Sequence, residues 1–417
     1  MRNDEKRVVI TGLGTVNAIA HDPAEFAAAL RNGVCGIGPI SLFDTAGFCT
    51  RNGAQVRDFC PRDAIPRGMS LKRMSRSDVF ALAAALQALF QAGLHPVPDD
   101  LRQEMGVVIG GGAGGLLEAE SFYRDYLQRG GRRARFSRLS CVSCAATANH
   151  LTTLLGLYGP KATIMTACSS GATAIGLGRD LIRNGAARAM VAGGTEPLCR
   201  MTFSSFNALK AIDPEYCRPF SGNRAGLTLG EAAGILILES LAGARQRGAA
   251  VLAEVLGYGV TCDAHHMTAP DIGASGAVRA MREALRDACL GPEAVDYINA
   301  HGTATPPNDR METRAIKEVF GTRARRIPVS STKSMHGHTL GASGALEAVV
   351  SVLAIAEGFI PPTIHCETPD PECDLDYVTT GARPVAPDVV LSNSFAFGGN
   401  NTSVIFGRFR DEEVRVG

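Results

Sequence analysis

The stretch Thr163-Ile164-Met165-Thr166-Ala167-Cys168-Ser169-Ser170-Gly171-Ala172 passes from an apolar, β-branched run through a single cysteine into small residues. Beyond it, Ala174, Leu177 and Leu181 recur at helical spacing, and Asn184-Gly185 supplies a stop. A short buried strand that turns at once into a helix is the repeating unit of an α/β protein. Working outward, residues 8–11, 106–109, 190–192 and 235–238 read as further buried strands, and 77–91 as a helix. The second half repeats the theme, with strands at 251–260, 297–299, 327–330, 389–392 and 402–406 and helices at 276–288 and 345–356. The expectation is an α/β fold of buried sheets covered by helices. A polar break at Arg245-Gln246-Arg247-Gly248 divides the chain into residues 1–250 and 251–417, and the similar order of elements on both sides hints at duplication.

The chain has 417 residues, enough for two packed units of ordinary size. Its 42 basic and 41 acidic side chains cancel, which removes the global field that nucleic acid or an anionic membrane would require. No run approaches membrane-spanning length, and the start, Met1-Arg2-Asn3-Asp4-Glu5-Lys6-Arg7, lacks the pattern of a secretory leader. Twelve cysteines without regular spacing suit a reducing, cytoplasmic setting with free thiols. The one close pair, Cys141 and Cys144, has no second pair or histidine cluster beside it, so no metal site is expected.

A thiol at the start of a helix meets unpaired N–H groups and the positive end of the dipole, both of which favour thiolate. Cys168 is therefore the candidate nucleophile, although most cysteines of an arbitrary chain are merely structural. Two further strand-end loops carry histidines. Asn299-Ala300-His301-Gly302-Thr303-Ala304-Thr305 delivers His301, and Lys333-Ser334-Met335-His336-Gly337-His338 delivers Lys333 and two more imidazoles. Two imidazole N–H donors would stabilise an enolate or oxyanion developing beside the thiol. Lys333 with Asp309 and Glu312 is placed to fix charge around them, the plainer alternative being a surface ion pair.

Thr11-Gly12-Leu13-Gly14 lacks the third glycine of a dinucleotide fingerprint, Asn17 standing there instead. Gly110–Gly115 lacks the Gly-Lys-Ser/Thr ending of a phosphate loop, and close backbone packing explains it better. Asn393-Ser394-Phe395-Ala396-Phe397-Gly398-Gly399-Asn400-Asn401 sets two aromatics in a glycine-rich loop, which suits a gate with an N–H available to an oxyanion hole.

Taken together, these segments resemble the elongating type II β-ketoacyl-acyl-carrier-protein synthases of the thiolase superfamily. The motifs carrying the likeness run nearly the whole chain: Thr166–Ser170, Gly193-Gly194-Thr195-Glu196, Arg218-Pro219-Phe220, Gly230-Glu231-Ala232-Ala233-Gly234, the His301 loop, residues 333–344 and 393–401. The resemblance implies a thiolase-like five-layered fold of two related α/β halves, normally a dimer. It implies that Cys168 takes an acyl primer from a carrier-protein phosphopantetheine, and that His301 and His338 promote malonyl decarboxylation. Lys333 and Glu312 would hold the network, Thr303 and Thr305 would contact the pantetheine arm, and Phe397, beside Phe395, would be the gate. No bound cofactor is implied. Arg67, Lys72, Arg73 and Arg76, or Arg132-Arg133-Ala134-Arg135, would offer an acidic carrier protein a basic patch.

Three departures from the family pattern stand out: Ala304 and Pro307, His336, and Ala396 with Asn400. A gate stiffened by Ala396 favours specialised polyene or polyketide assembly over housekeeping fatty-acid synthesis. Two alternatives compete. A thiolase would need a second catalytic cysteine, and residues 393–401 contain none. A silent chain-length subunit usually lacks the nucleophile, which this chain keeps, although pairing with such a subunit stays open.

Overall fold

The computed structural model of the chain describes residues 4–130 and 134–411. Among these, eleven strands join in one sheet. The first five are β1 (Val8–Asn17), β2 (Met105–Gly110), β3 (Lys161–Ile164), β4 (Ala189–Glu196) and β5 (Ala232–Ser240). The other six are β6 (Ala253–Cys262), β7 (Tyr297–Asn299), β8 (Pro328–Ser330), β9 (Asp376–Tyr377), β10 (Val389–Ala396) and β11 (Asn400–Gly407). In the first half β1 pairs antiparallel with β5 and β5 with β4, then β4, β2 and β3 run parallel. The second half repeats this: β6, β11 and β10 are antiparallel neighbours, then β10, β7 and β8 run parallel, with β9 added at the edge. A short antiparallel contact, Val9 with Glu254 and Ile10 with Ala253, joins the halves. The duplication hinted at by the order of elements is thus a repeat of strand pairing and direction.

Eight helices matter for the site: α1 (Arg76–Gln91), α2 (Leu116–Arg129), α3 (Ala146–Leu155), α4 (Ser170–Arg183), α5 (Arg200–Ala208), α6 (Ser275–Ala288), α7 (Pro306–Phe320) and α8 (Ser343–Glu357). The pleat sorts them into layers. Ile235 and Ile237 of β5 pack with α1 and α3, whereas Leu236 and Leu238 pack with α4 and α8. In the second half, Ile298 of β7 and Leu391 of β10 pack with α6 and α7. The order is helices, sheet, α4 with α8, sheet, helices: the five-layered thiolase-like fold. Strands covered on both faces read as continuous apolar runs, which is why they are legible in the sequence.

Gly12 and Gly14 have a packing role. A Cβ on either would overlap a carbonyl oxygen of α1, that of Ala88 or Ala84, so the helix lies directly on β1. The expectation that no run approaches membrane-spanning length needs correction. Leu340–Glu357, a short turn followed by the central helix α8, is long and apolar enough by composition, but 83% of it is buried within the protein. The predicted face of α4 also shifts. Ala174, Ile175, Gly178 and Ile182 are buried, while Leu177 and Leu181 are only half-buried and pack at the margin of the same core.

Candidate active site

The predicted nucleophile sits where β3 gives way to α4. Ala167 takes a positive φ of 52°, and Cys168 follows in a single turn of 3₁₀ helix before α4 begins at Ser170. A non-glycine residue in this region is strained, by about 1–3 kcal/mol, and must be held from outside. Ser170 holds it: its Oγ accepts from the Thr166 N–H at 2.9 Å and donates to the Ala167 carbonyl at 2.6 Å. Cys168 is buried, which works against the thiolate that the helix start favours. Burial pushes its thiol up to about 12. Lys333 and the Phe397 N–H, hydrogen-bonded to the sulfur, only partly oppose this, and Glu196 adds to it. Desolvation thus works against the helix terminus and favours the neutral thiol.

His301 and His338 approach edge to face, with ring centroids 5.4 Å apart. Their protons follow from their partners. The His338 Nδ1 receives the Leu340 N–H at 3.2 Å and lies 2.9 Å from Ser343 Oγ. The His301 Nδ1 lies 3.4 Å from the Lys333 ammonium, which can only donate. Both rings therefore accept at Nδ1 and carry their proton on Nε2. Burial first, and the Lys333 charge second, holds both imidazoles well below their ordinary pKa. The pair is two neutral N–H donors.

The carboxylates divide the work differently from expectation. Lys333 pairs with Glu347 of α8, not with Asp309 or Glu312, and both side chains of the pair are buried. Glu312 accepts the N–H groups of His301 and Gly302, each at 2.8 Å, and Asn393 Nδ2 at 3.2 Å. Burial raises Glu312 and Glu347 to about 7 each. Asp309 accepts from the Phe220 and Ala304 N–H groups, which holds Ala304 at its positive φ of 66°. None of the four is on the surface. Glu347 was missed by sequence reasoning. The available signal was a lone acid within the apolar run Ala345-Leu346-Glu347-Ala348-Val349-Val350, which must find a buried partner.

A cavity of about 260 Å³ is lined by Cys168, His301, His338, Thr303, Thr305, Phe395 and Phe397, bringing both halves together. Phe397 stacks on Phe206 of α5 with centroids 5.5 Å apart, and Phe395 lies 6.1 Å from the His301 ring. The Gly398 N–H donates to the Met267 carbonyl and Asn400 Nδ2 to the Phe397 carbonyl, so the loop is latched in place. His336 is buried between the Thr332 hydroxyl and the Gly337 carbonyl, each 2.9 Å away, and does not line the cavity. Of the expected basic patch, Arg67, Lys72 and Arg73 are exposed. Arg76 departs from that expectation: its guanidinium grips the buried Glu231 and the Val56 carbonyl. Arg132 and Arg133 lie outside the described residues, and Arg135 is exposed. Among the described residues no cluster of His, Cys, Asp or Glu could hold a metal ion.

The models for the N-terminal and C-terminal domains of β-ketoacyl synthases match residues 5–244 and 252–367. The chain belongs to the β-ketoacyl synthase family. It is 46% identical over 416 residues to the 3-oxoacyl-[acyl-carrier-protein] synthase 2 of Synechocystis sp., covering 98% of this chain and 99% of that one. The ishigamide ketosynthase/chain length factor structure superposes with a TM-score of 0.91 at 39% identity, over 97% of this chain and 99% of that one. A type II polyketide ketosynthase in complex with its acyl-carrier protein, AntDE:AntF, gives 0.87 at 33%, with 97% and 99% covered. The protein is thus an acyltransferase of the 3-oxoacyl synthase type, related to both fatty-acid and polyketide ketosynthases, and synthases of this type use carrier-tethered substrates.

Proposed function

We propose that Cys168 receives the acyl primer and that His301 and His338 drive decarboxylation of malonyl carrier protein. In the first step the primer's carbonyl moves from the pantetheine sulfur to Cys168, and the thiol proton goes to the departing pantetheine thiolate. In the second, malonyl thioester loses carbon dioxide, and the enolate oxygen is held by the two Nε2–H donors. Its carbon attacks the acyl-Cys168 carbonyl, whose oxyanion accepts the Phe397 N–H. The expelled Cys168 thiolate takes up one proton, which a thiol pushed up to about 12 retains. The observation that carries this reading is the convergence of Cys168, His301 and His338 on one cavity, with both rings accepting at Nδ1 and so left with an N–H at Nε2: a neutral N–H stabilises the enolate and keeps its proton, whereas imidazolium would lose it.

Thr303 and Thr305, whose hydroxyls lie 2.9 Å apart on the cavity wall, would meet the pantetheine arm. Arg67, Lys72 and Arg73 would meet an acidic carrier protein. A boundary near residue 250, with the nucleophile before it and both histidines after, is supported by the two family matches, which end at 244 and resume at 252. A dimer is supported by an uncovered face. β3 pairs only with β2, α2 has no buried residue, and Tyr123, Leu127, Phe136, Leu139 and Met165 are exposed. A homodimer is the first reading; a heterodimer with a chain-length-type subunit is the second, favoured by the ketosynthase/chain length factor likeness. Twelve free cysteines suit a cytoplasmic setting, and Ala396 in the gate supports polyene or polyketide elongation.

The His301→Ala and His338→Ala variants, compared with wild type, test the assignment. Each is expected to keep acylation of Cys168 and to lose carbon dioxide release from malonyl carrier protein by roughly 10²-fold or more. Unchanged release in both would remove the imidazoles from the mechanism.

A further inference from the structure

The repeat of the fold gives the nucleophile turn a counterpart. In the first half Ala167 (φ 52°), Cys168 and Ser169 form a turn of 3₁₀ helix ahead of α4. In the second, Leu340 (φ 46°), Gly341 and Ala342 do the same ahead of α8, so Gly341 stands where Cys168 stands. The flanking strand ends correspond too. β10 ends at Ala396, and the next residue aims its N–H at Cys168. β4 ends at Glu196, whose carboxylate accepts the Gly341 N–H at 2.9 Å.

Glu196 is fully buried and uses both oxygens. Oε2 also accepts the Gly112 N–H at 2.9 Å, and Oε1 accepts that of Ala113, so one carboxylate joins three segments. Glycines pack this junction so tightly that no side chain fits. A Cβ on Gly341 would come within 2.8 Å of the Gly111 Cα, and one on Gly194 within 3.0 Å of the Gly341 carbonyl oxygen. The second turn matters because it holds His338. Of the partners of the His338 Nδ1, the Leu340 N–H belongs to it and the Ser343 hydroxyl follows directly on it, at the first residue of α8. A turn with a leucine at positive φ must be held, and the hydrogen bond from its middle residue goes to Glu196.

We propose that Glu196 is a positioning residue for decarboxylation: by anchoring the turn at Gly341 it holds the two groups that fix the tautomer and direction of His338. The proposal rests on the reading of His338 as an enolate donor. It is tested on the purified full-length protein with Glu196→Gln, which keeps the shape without the charge, and Glu196→Asp, which keeps the charge and shortens the reach. Three readouts are compared with wild type: carbon dioxide release from malonyl carrier protein, acylation of Cys168 by intact mass, and the pH profile of Cys168 alkylation by iodoacetamide.

Both variants are expected to lose release by roughly tenfold or more, as for other groups that orient a working imidazole, while acylation continues. Only the Gln variant should shift the alkylation profile to lower pH, because it alone removes a negative charge beside the sulfur. A role confined to folding would leave the ratio of the half-reactions unchanged, while the profile shift reports only that the charge beside the sulfur is gone. Wild-type release in folded variants, loss of acylation in step with release, or failure of both variants to fold would overturn the proposal. Failure of the wild type itself to release carbon dioxide would instead overturn the functional reading beneath it.

Discussion

Alkylation of Cys168 as a function of pH decides between the two influences acting on its sulfur. The helix start and the Lys333 charge favour thiolate, whereas burial and Glu196 favour thiol. Burial wins, lifting the thiol from its ordinary 9.0 to about 12, roughly 4 kcal/mol against ionisation. At pH 8 the thiolate fraction then falls from about one in ten to about one in ten thousand, a loss of roughly 10³-fold in alkylation rate. The assay is iodoacetamide modification followed at the Cys168 peptide by mass spectrometry, with the exposed Cys49 and Cys262 as internal references. Cys168 should react far more slowly than these at pH 8 and still be rising above pH 10. A profile with its midpoint below 9 would refute the reasoning and return the advantage to the helix terminus.

Removing the carboxylate of the buried pair by Glu347→Leu strands the Lys333 ammonium and should cost about 3–5 kcal/mol in urea unfolding at pH 8; a loss below about 1 kcal/mol would contradict a working pair. His336, held down to about 3 by burial, should make the protein acid-sensitive. Below pH 6.5 the unfolded chain binds a proton there that the folded chain refuses. Stability therefore falls by about 1.4 kcal/mol per pH unit from this group until about pH 3. His336→Thr should flatten the acid side of the stability curve, and an unchanged slope would sink the assignment.

The strands were legible because sheets covered on both faces need continuous apolar runs, and β5 and β7 stand where those runs stand. The helix α2 was not read, although Leu116, Ala119, Tyr123, Tyr126 and Leu127 recur at helical spacing; in the structure none of its residues is buried. Cys168, His301 and His338 were legible as strand-end residues, the place where α/β folds build sites. What sequence could not supply was the balance of forces on them. Spacing reveals a helix start beside Cys168 but not the burial that outweighs it. It likewise offered Asp309 and Glu312 as partners for Lys333, since they lie near His301 in the chain, whereas the packing of α8 brings Glu347 there. Arg76 reads as one more cation in a basic run, and only the fold reveals Glu231 beneath it.

The central claim is tested most directly by intact mass after incubation with acyl carrier-protein thioesters of graded length and unsaturation, for wild type and Cys168→Ala, followed by malonyl carrier protein. The account predicts an acyl adduct on the wild type alone, discharged with carbon dioxide release as a 3-oxoacyl chain two carbons longer. An adduct that persists in the Cys168→Ala variant, or a folded wild type that forms none with any primer, would contradict it.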